Sequence, residues 1–203
     1  AMQAMSTKGP TKLVAMADAF GDRLDGSLAR LKKMYPEQVD VDRSRCFVGF
    51  DAYKKVLASG VDLVILATPP GFRPTHLKAA IEAGKHVFME KPVAVDAPGV
   101  RTVLAAGELA TEKKLGIVAG TQRRHQLNYI ETMKRIHDGA IGEIVSLEEN
   151  FLRPPYQITP REPWMSELQW QCSTQYHFNW LSGDDVPQSL VHNLDRASWV
   201  LGD

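Results

Sequence analysis

The sequence predicts an α/β protein in which a doubly wound parallel sheet gives way to a second region of different character. Three observations carry this. Short apolar segments alternate with helix-period segments as far as Ala119, joined by brief turns. The stretch Val61 to Ala67 is apolar on nearly every residue, as expected of a parallel strand covered on both faces. After Gln122 the pattern changes, and all four tryptophans fall beyond Phe151 among prolines and polar residues.

Each element has its own local signals. Ala1 to Ser6 reads as the end of a helix, stopped by Gly9 and Pro10. Leu13 to Asp18 (LVAMAD) is a short strand that closes on a carboxylate. Leu24, Leu28, Leu31 and Tyr35 recur at helical spacing, and Pro36 ends that helix. Cys46 to Phe50 is a second strand, and Tyr53 to Ser59 a short helix ended by Gly60. Thr68-Pro69-Pro70-Gly71 terminates the Val61–Ala67 strand. Pro74 suits the first turn of the next helix, which carries Leu77 and Ile81 and closes at Gly84. His86 to Met89 is a strand followed by Glu90-Lys91-Pro92. Asp96 caps a helix running through Ala110, and Leu115 to Ala119 is a further strand. Beyond it, Gln126 to His137 is a helix stopped at Asp138-Gly139, and Glu143 to Leu152 a longer strand of mixed polarity. There is no internal repeat and no low-complexity tract.

Composition narrows the partners. The 203 residues hold 24 basic and 24 acidic side chains, and this zero balance argues against binding nucleic acid or an anionic membrane surface. No apolar run approaches the ~20 residues that span a bilayer. Two cysteines, Cys46 and Cys172, are too few for a disulfide framework, and His177 with Cys172 lacks the further ligands of a metal site.

In open parallel sheets, ligands bind beyond the carboxyl ends of the strands. Asp18, the Thr68-Pro69-Pro70 turn and Glu90-Lys91-Pro92 occupy such ends. Asp18 has two readings: a carboxylate there accepts the ribose hydroxyls of an adenosine and repels a 2′-phosphate, or it caps the following helix. Far downstream, His192, Asp195, Arg196 and Trp199 share one face of a helix, while Val191, Leu194 and Leu201 line another. An imidazole, with an ordinary pKa of about 6.5, suits acid–base work at neutral pH.

The run ILATPPGFRPTHLKAAIEAGKHVFMEKPVAVD, followed by GIVAGTQRR, DGAIGEIVSLEENF and LVHNLDRASWVLG, resembles the Gfo/Idh/MocA family of NAD(P)-dependent oxidoreductases across essentially the whole chain. The resemblance implies a Rossmann domain over residues 1–124 and a substrate domain over 125–203, the start of an α/β domain with an open sheet through which copies pair as a homo-oligomer. It also places the family's first strand and Gly-rich phosphate loop before Ala1. A gap inside the sheet, and a protein nearly twice this length, are therefore expected.

Carried over by position, Lys91 of the Glu-Lys-Pro turn stands between nicotinamide and substrate hydroxyl, and His192 is its acid–base partner. The resemblance assigns Asp18, Thr68, Pro69, His76, Glu90, Lys91 and Gln122 to the cofactor, and Lys91, Arg123 and His192 to the substrate. His76 has a structural reading as well, in which it bonds a backbone group. Arg123 and Arg124 have one in which they pair with acids across the domain junction. The family often shows Asp four residues before the histidine; here that position is Gln188, and Asp184 and Asp185 do not fill it. The cofactor implied is NAD, with NADP left open. The activity implied is hydride transfer with a sugar, polyol or related hydroxyl compound. Two alternatives stand beside it: an NAD-retaining glycoside hydrolase of the same family, and a non-catalytic sugar-binding subunit. The wording QSLVHNLDRASW also resembles members exported through a twin-arginine signal, which leaves the compartment open between cytoplasm and periplasm.

Overall fold

Five parallel strands alternate with α-helices in residues 1–202, the residues that the computed structural model describes. The strands form two sheets: β1 (Met16–Asp18) pairs with β2 (Cys46–Val48), and β3 (Leu63–Leu66), β4 (His86–Met89) and β5 (Ile117–Ala119) pair in that order. The architecture is Rossmann-type, and the sheet is interrupted between β1 and β3, where the resemblance expects the gap.

The larger core lies on one side of the three-stranded sheet. Helices α4 (Arg73–Glu82) and α5 (Ala97–Glu112) pack there, burying Leu77, Ala80, Ile81, Ala106 and Ala110 against Val64, Leu66, Val87 and Met89. The expectation of a strand buried on both faces is corrected here. Val64 and Leu66 are buried, but Leu63 is 52% and Ile65 37% exposed, because the helices cover only one face. A second, smaller cluster joins α1 (Met2–Met5) to α2 (Gly21–Met34) through Met5, Leu28, Leu31, Val39 and Val41.

The local signals act as their chemistry requires. Asp96 Oδ1 accepts the Gly99 amide at 2.7 Å, satisfying one of the donors orphaned at the start of α5. Gly84 ends α4 at φ +73°, a left-handed conformation that costs a glycine nothing, and Lys85 N then reaches the Ala80 carbonyl at 3.0 Å. α3 (Ala52–Leu57) closes the chain between β2 and β3.

Beyond β5 the regular elements among the described residues are all helical: α6 (Leu127–His137), α7 (Glu167–Ser173), α8 (Asn179–Ser182) and α9 (Val191–Leu201). The strand expected over Glu143 to Leu152 is not formed. No neighbouring strand offers it a ladder, and Val145 and Leu152 are almost fully exposed. The segment is held instead by side chains of α9: Arg196 pairs with Glu149 at 2.6 Å, and Asn193 Nδ2 donates to the Asn150 carbonyl at 2.8 Å. The apolar face expected on α9 is likewise corrected. Leu194 and Leu201 are exposed and the buried residue is Asn193, because polar bonds dock this helix.

α8 seats the C-terminal region on the sheet. It packs on the 3-10 turn Pro70–Phe72 that follows β3, with the Trp180 and Phe72 rings edge to face at 5.8 Å. The approach is close because Gly71 has no side chain. A Cβ there would press into the Trp180 carbonyl and stand 3.3 Å from the Leu181 Cα. Both neighbours are backbone and cannot rotate away, so Gly71→Ala is expected to lower unfolding free energy by about 2 kcal/mol. Denaturant titration followed by tryptophan fluorescence measures this.

Candidate functional site

The turn after β4 is the centre of the site. The Lys91–Pro92 peptide is cis. Arg73, the first residue of α4, is only 5% exposed and donates from Nη1 to the Pro92 carbonyl at 2.5 Å, so the turn is held from beneath by a buried cation. Burial draws the Arg73 pKa down to about 10, still charged at neutral pH, and nearby Glu90 opposes that fall. Glu90 lies against Gly120, where a Cβ would come within 2.7 Å of its carboxylate.

Lys91 Nζ donates to the backbone carbonyl of Gln188. Gln188 belongs to a π-helical turn, Val186–Leu190, which runs directly into α9, with His192 one turn farther on. Lys91 is thereby tied, across 97 residues of sequence, to the turn that leads into His192. Electrostatics register the same proximity. Burial lowers the His192 pKa below its ordinary value, and the Lys91 and Arg123 cations lower it further. Burial, then Arg73, lowers that of Lys91. His192 is therefore a neutral imidazole at neutral pH, able to accept a proton.

The turn after β5 positions α9. Arg123 Nη1 donates to Asn193 Oδ1 at 3.2 Å, and Arg124 Nε pairs with Asp195 Oδ1 at 2.8 Å while its guanidinium lies 5.3 Å from the Trp199 ring centroid. The pairing of arginine with an acid across the junction thus describes Arg124. Arg123 instead grips an amide beside His192.

Other residues expected at the site are more dispersed. Asp18 ends β1, and its Oδ1 accepts the Phe20 amide at 2.9 Å; it makes a local turn rather than capping α2. Thr68 and Pro69 follow β3 and are partly buried, and Thr68 Oγ1 lies 3.3 Å from His76 Nδ1. Gln122 is exposed, and its side chain has no hydrogen-bond partner among the described residues. His76 is packed between Tyr53 and Phe72, with ring centroids at 4.3 and 6.0 Å, and is 8% exposed.

Burial pushes the His76 pKa down to about 4. Between pH 6.5 and 4 the unfolded chain therefore binds a proton that the native chain does not, and stability falls as pH falls through that window. The loss approaches about 3 kcal/mol at the acid end. Denaturant midpoints at pH 7 and pH 4 should show it, and His76→Phe should remove this part of the dependence.

Sequence reasoning did not single out Arg73, whose role depends on the tertiary position of the turn above it. It also assigned no single aromatic residue after Phe151. Tyr156 stands at the site, with its hydroxyl 2.8 Å from Ser189 Oγ, one turn before His192. Among the described residues, no group of three or more His, Cys, Asp or Glu is placed to hold a metal ion, and no helix is long and apolar enough to cross a membrane.

The donor set suits the sugar groups of a dinucleotide. An acceptor carboxylate stands at the end of β1, and hydroxyl, carboxylate and ammonium groups stand at the ends of β3 and β4. Comparison with known proteins points the same way. Residues 24–120 match the family model described as "Oxidoreductase family, NAD-binding Rossmann fold". Over 201 residues the chain is 26% identical to the inositol 2-dehydrogenase of Rhizobium meliloti (strain 1021), covering 99% of this chain and 51% of that protein. It is 30% identical over 161 residues to inositol 2-dehydrogenase 4 of Saccharopolyspora erythraea, covering 78% of this chain and 40% of that protein. The crystal structure of an NAD-binding protein from Listeria innocua shares the fold, with a TM-score of 0.67 at 22% identity over 97% of this chain and 49% of that one. The chain thus spans about half the length, or less, of the curated relatives it matches.

Proposed function

The chain belongs to the Gfo/Idh/MocA family of oxidoreductases, and on that premise we propose that the protein interconverts a carbinol and a carbonyl on a sugar, polyol or cyclitol. Residues 1–124 serve the nucleotide and residues 125–203 the substrate. The observation that supports this reading is the hydrogen bond from Lys91 Nζ to the Gln188 carbonyl, one turn before His192. When bound, the nicotinamide supplies the hydride acceptor for oxidation or the donor for reduction.

The chain's own residues manage the proton and the charge. In oxidation, His192 takes the hydroxyl proton, as its depressed pKa allows. The Lys91 ammonium faces the same oxygen and stabilises negative charge as it develops. Arg73 keeps the Lys91 turn in place from below, and Arg123 anchors α9 beside His192. Gln188 adds no charge, so the imidazole works without a carboxylate four residues before it. Asp18 favours NAD over NADP, because its carboxylate accepts ribose hydroxyls and repels a phosphate.

The test is direct. The protein given NAD and myo-inositol or a hexose should generate the absorbance of reduced nicotinamide. Absence of both turnover and nucleotide binding would overturn the proposal.

A further inference from the structure

Helix α9 buries an amide and leaves leucines out. Asn193 is 1% exposed, whereas Leu194 beside it is 52% exposed. Asparagine is an indifferent helix former, and a buried carboxamide costs stability unless both its ends are bonded. Here both are. Asn193 Oδ1 accepts from Arg123 Nη1 at 3.2 Å, and Nδ2 donates to the Asn150 carbonyl at 2.8 Å. Only one orientation of the amide serves: turned over, it would set its NH2 against the guanidinium and its oxygen against a carbonyl.

The two partners belong to different parts of the fold. Arg123 lies in the 3-10 turn Gln122–His125 after β5, and Asn150 in the segment that runs along α9. A helix gripped by one side chain in two directions cannot turn about its axis without leaving a buried group unpaired. The same Arg123 Nη1 stands 3.5 Å from the His192 carbonyl oxygen. Farther along the helix, the Arg124–Asp195 and Arg196–Glu149 pairs at 2.8 and 2.6 Å brace it, but both are partly open to solvent.

We propose that Asn193 is a positioning residue: its carboxamide holds the Arg123 guanidinium against the start of α9 and fixes the rotation at which His192 is presented. The use of that rotation rests on the carbinol-oxidising reading above; the arrangement itself can be read without turnover. The charged groups acting on the imidazole are Lys91 from the turn after β4, Arg123 from the turn after β5, and Asp195 and Arg196 of its own helix, and all but Asp195 disfavour the imidazolium. Glu149, from the segment along α9, is bound to Arg196, and His137 of α6 meets the helix two turns on, with Nε2 at 2.8 Å from the Trp199 carbonyl oxygen. Of these groups, Arg123 is the one that Asn193 keeps in place.

Titration of the imidazole itself tests the proposal. Isotope-labelling the six histidines and following their ring resonances against pH by NMR gives the His192 midpoint, with His192→Gln supplying the assignment. Asn193→Leu frees Arg123 and should raise that midpoint by about half a pH unit, the worth of one nearby cation at a partly solvated site. Arg123→Met should raise it as much, and the double variant no further, because both substitutions remove the same field. Asn193→Ala, which leaves room for water on the freed groups, stands in if the leucine variant does not fold. A residue that merely packed would shift the midpoint by the same amount whether position 123 held arginine or methionine. A midpoint unmoved by the Asn193 substitution, or shifts that add in the double variant, overturns the positioning role and leaves the hydride-transfer reading standing. A shared shift in a protein that oxidises no carbinol with NAD keeps the Asn193–Arg123 arrangement and overturns the oxidoreductase reading.

Discussion

Replacing Lys91 with alanine is expected to lower kcat/KM about a thousand-fold while leaving nucleotide affinity within a few-fold. The size follows from what the ammonium does. In the proposed reaction it is a full, partly buried charge facing an oxygen that becomes negative only as the carbinol loses its proton, so its stabilisation would be concentrated in the transition state. Removing one such donor commonly costs 10²–10³ in turnover. A second loss adds to it, because the Gln188 carbonyl no longer has the donor that fixes the π-helical turn before His192. Lys91→Arg should rescue little. Arg73 already occupies the space beneath the turn, and a planar guanidinium cannot present a single compact charge at the same point. Steady-state kinetics with a fluorescence titration of the nucleotide separates the two effects, and turnover within ten-fold of wild type in the alanine variant would remove Lys91 from the chemistry.

Much of this was legible in the sequence, and the reasons are local. Strand β4 was readable to the residue, because His86 to Met89 is a short apolar run between Gly84-Lys85 and a Glu-Lys-Pro turn. The Asp96 cap and the Asp138-Gly139 stop were readable because one side chain or one glycine decides them. What failed depended on neighbours. Glu143 to Leu152, of mixed polarity, reads as a strand, but pairing needs a partner, and the segment lies along α9 through Glu149 and Asn150 instead. Leu63 and Ile65 are exposed because apolar composition cannot say whether a second layer covers the sheet. At the candidate site, the motif singled out Lys91 and His192 as expectations. It could not show that Lys91 would bond the Gln188 carbonyl, nor that Arg73 would lie beneath, since no side-chain pattern specifies either contact.

His192 offers the sharper test, because its contribution has a pH signature. His192→Gln should lower kcat for oxidation by about 10²–10⁴, the usual worth of a positioned base, and should also erase the acid limb of the rate profile. The sign is fixed by what surrounds the imidazole. Burial first, then the Lys91 and Arg123 cations, disfavour the imidazolium and hold the His192 pKa below about 6.5. The wild-type rate should therefore hold as pH falls through 6.5 and decline only below it, where the imidazole takes a proton and can no longer accept one from the substrate. Lys91→Met, slow as it is, removes one of those cations, so its acid limb should move up towards the ordinary histidine value. Structure alone would not give that coupled displacement: a histidine that merely packed at the domain junction could lose activity on substitution, yet its pKa would not appear in the rate profile or respond to a change at Lys91. A limb that persists in His192→Gln assigns the base to another group, and a limb that stays fixed in Lys91→Met places the imidazole outside the field of that ammonium.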